Sequence, residues 1–372
     1  MKLKSIKTAI VDIPLKRPHV MSLMTVREVN YLFVFAQSSD GTVGYGEAAF
    51  LGGPTWSEES VESAKTAVER YLAPYLVGKD FRRLEEMRSL MDKLVRGNHF
   101  AKAAVEMALF DLTGKVQGLP VYDLIGGKVR DEVPLSWSLA SYDLKEEERE
   151  AGEMIDKGGY IFKFKTGLLS PKEDIERVQN IRRTFGDTIR LRIDANQGWN
   201  RADAIRAIRG MEPYHLDFAE QPVPKEDIDG LAAIARSVSV PLLADESLDS
   251  VQNAIQLVKK DAVGMFGLKL TKAGGIIGAK RLAAIAEAAG YPCYVGCMIE
   301  TGVGNAAYLH MAVSTPQVTM GCELFGPMLL SDTITTEEPE YGRGTIALTK
   351  ERPGLGVEID PKQFEKYRRK GC

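Results

Sequence analysis

The sequence predicts an α/β chain in which eight parallel strands and their returning helices close into a barrel, behind an antiparallel α+β block that caps it. Three observations carry this. Five charged residues, each closing a short apolar run, recur at intervals of 29, 26, 25 and 24 residues, about the length of a strand, a loop and a helix. From Val133 onward eight strand candidates alternate with helical stretches. The chain before that keeps a different rhythm, of longer strands and turn signals.

Taken in order, residues 3–13 and 29–38 read as strands, and Ser39-Asp40-Gly41 as a turn into a strand over 42–47, an antiparallel meander. Helices are expected over 58–77, 81–95 and 99–117, the third placing Ala104, Met107, Ala108 and Leu112 on one face. Gly126-Gly127 ends this block, so residues 1–125 are expected to form a capping domain. The barrel is expected over 126–328, with strands at 133–138, 160–165, 189–194, 216–220, 240–245, 263–269, 292–297 and 320–324. Among its helices, 276–289 is rich in Ala, Ile and Leu and stops at Gly290. Residues 329–372 turn strand-like again at 344–349, ahead of Pro353-Gly354-Leu355-Gly356. A tail of this length is expected to pack back on the capping domain.

Composition narrows the class. Charged residues make up 27% and apolar ones 44% of 372, the balance of an ordinary soluble enzyme. A net charge of −3 gives no reason to expect nucleic acid or an anionic membrane as partner. No apolar run approaches the roughly 18 residues that a membrane helix needs. Met1-Lys2-Leu3-Lys4-Ser5-Ile6-Lys7 lacks the apolar core of a signal peptide, and four cysteines read as free thiols, so a cytoplasmic protein is expected.

The five charged residues are Lys165, Asp194, Glu220, Asp245 and Lys269. Parallel barrel strands end at one mouth, so residues distant in sequence converge there. Three carboxylates so gathered cannot all stay charged without a cation, which implies a divalent metal flanked by lysines. Oxygen-only ligands suit Mg²⁺ or Mn²⁺, since no histidine or cysteine is placed to favour zinc. Alternation along a strand puts Lys163 and Lys165 on one face, with Phe162 and Phe164 on the other. Gly267, in line with Lys269, is expected to leave room for a ligand. Each residue has a plainer reading alone: Asp245-Glu246-Ser247 as a helix start with Ser247 as cap, or Asp194-Ala195-Asn196 as a turn. The regular spacing at matched strand ends favours the joint reading.

The ladder Lys163-x-Lys165, Asp194-Ala195-Asn196, Glu220-Gln221-Pro222, Asp245-Glu246-Ser247 and Lys269-x-x-Lys272-x-Gly274-Gly275 resembles the enolase superfamily, muconate lactonizing subgroup. Arg17-Pro18-His19, Gly46-Glu47-Ala48, Gly97-Asn98, residues 126–131 and Gly354-Leu355-Gly356 extend the resemblance over the whole chain. It implies a (β/α)7β modified TIM barrel with the capping domain completed by the C-terminal tail. It implies that Asp194, Glu220 and Asp245 ligate the metal, that Lys165 exchanges a proton with substrate carbon assisted by Lys163, and that Lys269 stands on the opposite face. The shared chemistry of the superfamily is an enolate next to a carboxylate, stabilised by a divalent ion with a Lys or His base. A homo-oligomer is also implied, an octamer being the expected assembly.

Within the subgroup, no histidine lies in residues 291–300, against a mandelate-type racemase, and none of His19, His99, His215 and His310 is expected at the mouth. Residues 322–327 and 297–302 resemble muconate cycloisomerases, which implies roles toward substrate for Glu323, Phe325 and Glu300, with Asn196 beside them. Three carboxylates, a divalent ion and three protonated lysines leave a surplus of two positive charges, which a small dicarboxylate would neutralise. Glu323 disturbs this count unless it is protonated or paired, with Lys269 the expected partner. Leu51 and Trp56 stand where typical muconate enzymes carry isoleucine and tyrosine, so the capping loops are expected to set the substrate. The expected activity is a cycloisomerase acting on cis,cis-muconate or a substituted muconate. The alternatives are an N-acylamino acid racemase or dipeptide epimerase that uses Lys165 and Lys269 as opposed acid and base, and a binding protein without turnover.

Overall fold

The computed structural model describes residues 1–349 and 351–371. Strands β1 (Leu3–Val20), β2 (Thr25–Ser38) and β3 (Val43–Phe50) form an antiparallel sheet in that order. β1 runs seven residues beyond the expected stop, through a register shift between Pro14 and His19. That bulge re-aims the strand and brings His19 to the barrel. Ser60 caps the next helical stretch, accepting from the Ser63 amide, so helix begins at Val61.

The helix His99–Gln117 departs from the one-face reading, being buried on all sides from Phe100 to Gly114. It lies against β3, where Gly44 and Gly46 permit a close approach. A Cβ at these two positions would stand 2.2 Å from the Ala108 carbonyl oxygen and 1.9 Å from that of Ala104. Any side chain there would push the capping sheet off the helix.

The expected first barrel strand is split. β4 (Glu132–Pro134) leaves the barrel and pairs antiparallel with β14 (Thr345–Ala347), which β13 (Glu340–Tyr341) flanks. Pro134 has no N–H to offer a barrel neighbour, and pairing with β6 starts only at Ser136. The barrel then runs β5 (Ser136–Leu139), β6 (Ile161–Lys165), β7 (Arg190–Asp194), β8 (Leu216–Glu220), β9 (Leu242–Ala244), β10 (Met265–Leu268), β11 (Cys293–Val295) and β12 (Val318–Cys322). All neighbours are parallel and sequential, and a bridge between Leu135 and Cys322 joins the two ends. Seven major helices separate the eight strands among the described residues, the arrangement expected of a (β/α)7β barrel. Ile276–Ala289 ends as expected, at a left-handed Gly290.

Beneath the mouth, Arg192 is fully buried between the rings of Phe218 and Tyr294, at 5.0 and 4.9 Å, with Nε donating to Asp217 at 2.9 Å. This packed floor leaves only the C-terminal strand ends open to chemistry. The tail returns to the capping sheet. Leu330 bridges Leu15, Arg368 bridges Val11, and Phe364 packs edge-on against Phe33 and Phe35 at 5.2 and 5.6 Å. Among the described residues no helix is long and apolar enough to cross a membrane.

Candidate active site at the barrel mouth

The ends of β6, β7 and β8 lie in register. Lys165 stands beside Asp194, and Asp194 beside Glu220. Because alternate side chains point inward, Lys163, Lys165, Asp194 and Glu220 enter one space. Asp245 and Lys269 join them from just beyond β9 and β10. All six are buried.

Ammonium groups hold the acids. Lys165 Nζ donates to Asp194 Oδ2 at 2.6 Å and to Asn196 Oδ1 at 2.8 Å. Lys163 Nζ donates to Glu220 at 2.7 Å and Glu323 at 2.6 Å, and stands 3.3 Å from Asp194. Lys269 reaches Asp245 Oδ2 at 2.7 Å, and Lys272 reaches Asp245 Oδ1 at 2.7 Å. Glu323 is therefore paired as its charge required, but with Lys163 rather than Lys269. Burial pushes the Asp245 carboxyl up, yet Lys269 and Lys272 outweigh it and hold it below the usual carboxylate range. Asp194 is lowered in the same way by Lys165 and Lys163. Of the two lysines on Asp245, Lys269 is raised by its acidic neighbours, whereas burial wins at Lys272 and lowers it.

Glu220 is different. Burial first, then repulsion from Asp194, pushes it up to about 8 despite Lys163. A cation beside it would favour its charged form. The donor chemistry of these three buried carboxylates fits a hard divalent cation. Among the described residues no group of three acids, histidines or cysteines stands ready to hold a metal ion. The oxygens of Asp194, Glu220 and Asp245 are turned to lysines instead.

Backbone strain concentrates here. Asn196 (φ 40°), Gln197 (φ 67°) and Gln221 (φ 33°) follow β7 and β8 in the left-handed region. Gln221 ties two strand ends together, its Oε1 accepting from the amides of Asp245 and Ser247, each at 3.1 Å. No helix starts at Ser247; Ser250 caps the following one, Val251–Lys259.

A small cavity of about 20 Å³ opens onto these groups, lined by Lys165, Lys269, Asn196, Glu323 and Phe325 from the barrel. Leu51, Trp56, Met21 and His19 line it from the capping domain. Trp56 also lines an outer cleft of about 470 Å³, and Lys269 Nζ sits 4.4 Å from its ring centroid. A Lys225–Glu58 ion pair fastens the loop that carries Trp56 to the barrel. Glu300 stands outside the cavity lining, its Oε1 accepting from the Met298 amide at 2.9 Å. Gly267 makes no ligand space. A Cβ there would stand 2.9 Å from Leu243 and 3.0 Å from the Ala244 carbonyl, and Lys272 bonds the Gly267 carbonyl at 3.1 Å.

Sequence reasoning missed His19. Contrary to expectation it faces the mouth, buried, 6.4 Å from the Phe325 ring, with Nδ1 unpartnered among the described residues. Burial and the charges of Lys165, Arg17 and Lys163 lower its pKa, so the ring is neutral. Lys272 and Glu246 stand within the same motifs, which by themselves imply no role for either. The signal for Lys272 was its place one turn beyond Lys269; nothing local signalled His19.

Comparison with known proteins agrees with this geometry. Residues 5–126 match the family described as mandelate racemase / muconate lactonizing enzyme, N-terminal domain, and residues 146–363 match enolase C-terminal domain-like. A chloromuconate cycloisomerase of Cupriavidus necator is 41% identical over 99% of this chain and 100% of its own length. Muconate cycloisomerase 1 of Pseudomonas putida is 36% identical over 96% of both chains. A muconate lactonizing enzyme of Pseudomonas fluorescens, solved with muconolactone, superposes with a TM-score of 0.97 at 37% identity over 99% of each chain. Enzymes of this family depend in general on a metal ion. The chain belongs to the mandelate racemase / muconate lactonizing enzyme family and is a cycloisomerase of the enolase superfamily.

Proposed function

We propose that this enzyme converts cis,cis-muconate, or a chlorinated or otherwise substituted muconate, to the corresponding muconolactone. The observation that carries the reading is that Lys165 and Lys269 face one enclosed cavity between the strand ends and the capping loops. The full-length likeness to muconate and chloromuconate cycloisomerases supports it.

Asp194, Glu220 and Asp245 would hold a divalent ion, Mg²⁺ or Mn²⁺, which when bound supplies positive charge where electron density gathers on a substrate carboxylate. One substrate carboxylate oxygen adds to a double bond, and the displaced electron pair collects on the carbon next to the other carboxylate. Lys165 delivers a proton to that carbon, a protonated lysine being the ordinary state at neutral pH. Lys163 holds Glu220 and Glu323 in place, and Lys269 places a second ammonium across the cavity. Neutral His19 offers a hydrogen bond to the substrate, while Leu51, Trp56 and Phe325 shape the apolar walls, Asn196 and Glu323 line it, and Glu300 braces the loop behind.

A cavity of about 20 Å³ admits one or two waters, so muconate enters only if its walls open, and Trp56, which lines both this cavity and the outer cleft, is the side chain placed to do so. The two lysines on one cavity would also serve a racemase or epimerase of N-acylamino acids or dipeptides, so that reading belongs in the test. Wild type and Lys165→Ala are assayed with Mn²⁺ against muconates, N-succinyl amino acids and dipeptides. Loss of muconate ultraviolet absorbance with wild type, reduced about 10³-fold or more in the variant, is the expected result. Exchange of a substrate α-proton in deuterium oxide without lactone formation would overturn it. We further place the enzyme in the cytoplasm as a homo-oligomer, an octamer by family likeness, which sedimentation tests.

A further inference from the structure

We propose that Glu246 is a positioning residue for proton transfer, locking the Asn196 amide so that its oxygen, not its nitrogen, faces Lys165. The inference rests on Lys165 as the proton donor. Lys165 Nζ donates to Asn196 Oδ1 at 2.8 Å, and Asn196 Nδ2 donates to Glu246 Oε1 at 3.1 Å. An ammonium only donates, and Glu246 Oε1 stands as the acceptor for the Asn196 N–H, so the two neighbours together force the amide orientation. The backbone of Asn196 is already fixed, its N–H bonded to Asp194 Oδ1 at 2.9 Å and its φ held at 40°. What stays free is rotation of the amide, whose two ends have nearly the same shape. Without an acceptor at Glu246 only the Lys165 ammonium holds the amide, and the buried Nδ2 group, left without a partner, favours turning the side chain out of line with Lys165.

The consequence falls on Lys165. With two of its N–H bonds held by Asp194 and Asn196, the third is left for the cavity that Lys165 lines. Losing the amide oxygen frees the ammonium to wander from that aim, which slows a proton transfer more than it weakens binding. Glu246 itself is buried at 4% exposure and lines the outer cleft, not the small cavity, so it acts through Asn196.

The test uses the full-length, Mn²⁺-loaded enzyme with cis,cis-muconate. Glu246→Met, which removes the acceptor and keeps the bulk, lowers kcat about 10- to 100-fold with KM within about threefold, and enlarges the solvent deuterium isotope effect on kcat. Glu246→Gln still accepts from Asn196 and recovers to within about fivefold of wild type. Asn196→Ala alone matches the loss in Glu246→Met, and the double variant loses nothing more. Additive losses, a Gln variant as slow as Met, or Mn²⁺ binding weakened more than about tenfold in calorimetry would overturn the proposal, the last by placing Glu246 in the service of the metal. If Glu246→Met does not fold, Glu246→Ala enters the same cycle. A wild type inert toward muconate defeats the substrate reading alone. The positioning claim is then read from an atomic-resolution structure of the variant: an Asn196 amide flipped or displaced supports it, and an unmoved one refutes it.

Discussion

The Lys163 ammonium lies 2.6 Å from the Glu323 carboxylate, joining β6 to the segment after β12 across 160 positions of sequence. The same ammonium holds Glu220 at 2.7 Å, so one cation serves two acids where the barrel closes. Replacing Lys163 by Met leaves two buried carboxyls without their partner, and breaking such a pair costs about 3–5 kcal/mol. Urea unfolding of the metal-free protein is expected to show a loss of that order for Lys163→Met. Glu323→Gln, which leaves an amide oxygen for Lys163, is expected to lose less than half as much.

Divalent ions should act on stability as well as on rate. A ligand at about 100 times its Kd stabilises the folded state by about 2.7 kcal/mol. Chelation is therefore expected to abolish turnover and lower the melting midpoint, with both restored by Mn²⁺. Replacing Asp194 or Asp245 by Asn should remove the metal-dependent rise in melting temperature. An unchanged rise in both variants would count against these ligands.

Trp56 both closes the inner cavity and shares its ring face with Lys269 at 4.4 Å. A partly buried cation–π contact contributes about 0.5–2 kcal/mol. Trp56→Leu is expected to raise KM for muconate about three- to tenfold while leaving kcat within a few-fold, measured by steady-state kinetics. A fall in kcat with KM unchanged would show that the ring acts on the chemistry and not on closure.

His310, on the helix Gly302–Val313, supplies a pH dependence of stability. Its Nδ1 accepts from the Tyr122 amide at 3.1 Å and its Nε2–H bonds the Leu355 carbonyl at 3.2 Å, so the neutral ring satisfies both. Burial, with a small contribution from Lys128, pushes its pKa down to about 4 from 6.5. Between these values the unfolded chain binds a proton that the folded one refuses, so stability falls as pH drops from 6.5 toward 4, by about 3 kcal/mol. Glu47 and Glu106, each pushed up to about 7 by burial, work in the opposite sense, favouring the fold on the acid side of 7. Comparing wild type with His310→Gln isolates the histidine. The variant should show a shallower loss of stability on acidification, followed by urea unfolding from about pH 7 to about pH 4.5.

What the sequence determined by itself was local and periodic. Apolar runs with charged ends, spaced one βα unit apart, placed Lys165, Asp194, Glu220, Asp245 and Lys269 at strand ends, and period-two alternation turned Lys163 inward with Lys165. These follow from strand geometry that neighbouring residues impose on each other. The tertiary structure decided which charge meets which. Glu323 went to Lys163 because closure sets the last strand end beside the first ones, a fact no local pattern contains. Lys272 came to share Asp245, and Gly267 made room for packing instead of ligand. His19 reached the mouth because a bulge carries β1 onto the barrel, and Pro134 split what the sequence reads as one strand over 133–138. Pairing energies between side chains more than a hundred positions apart depend on backbone closure to within an ångström or so, and that is written in the packed fold alone.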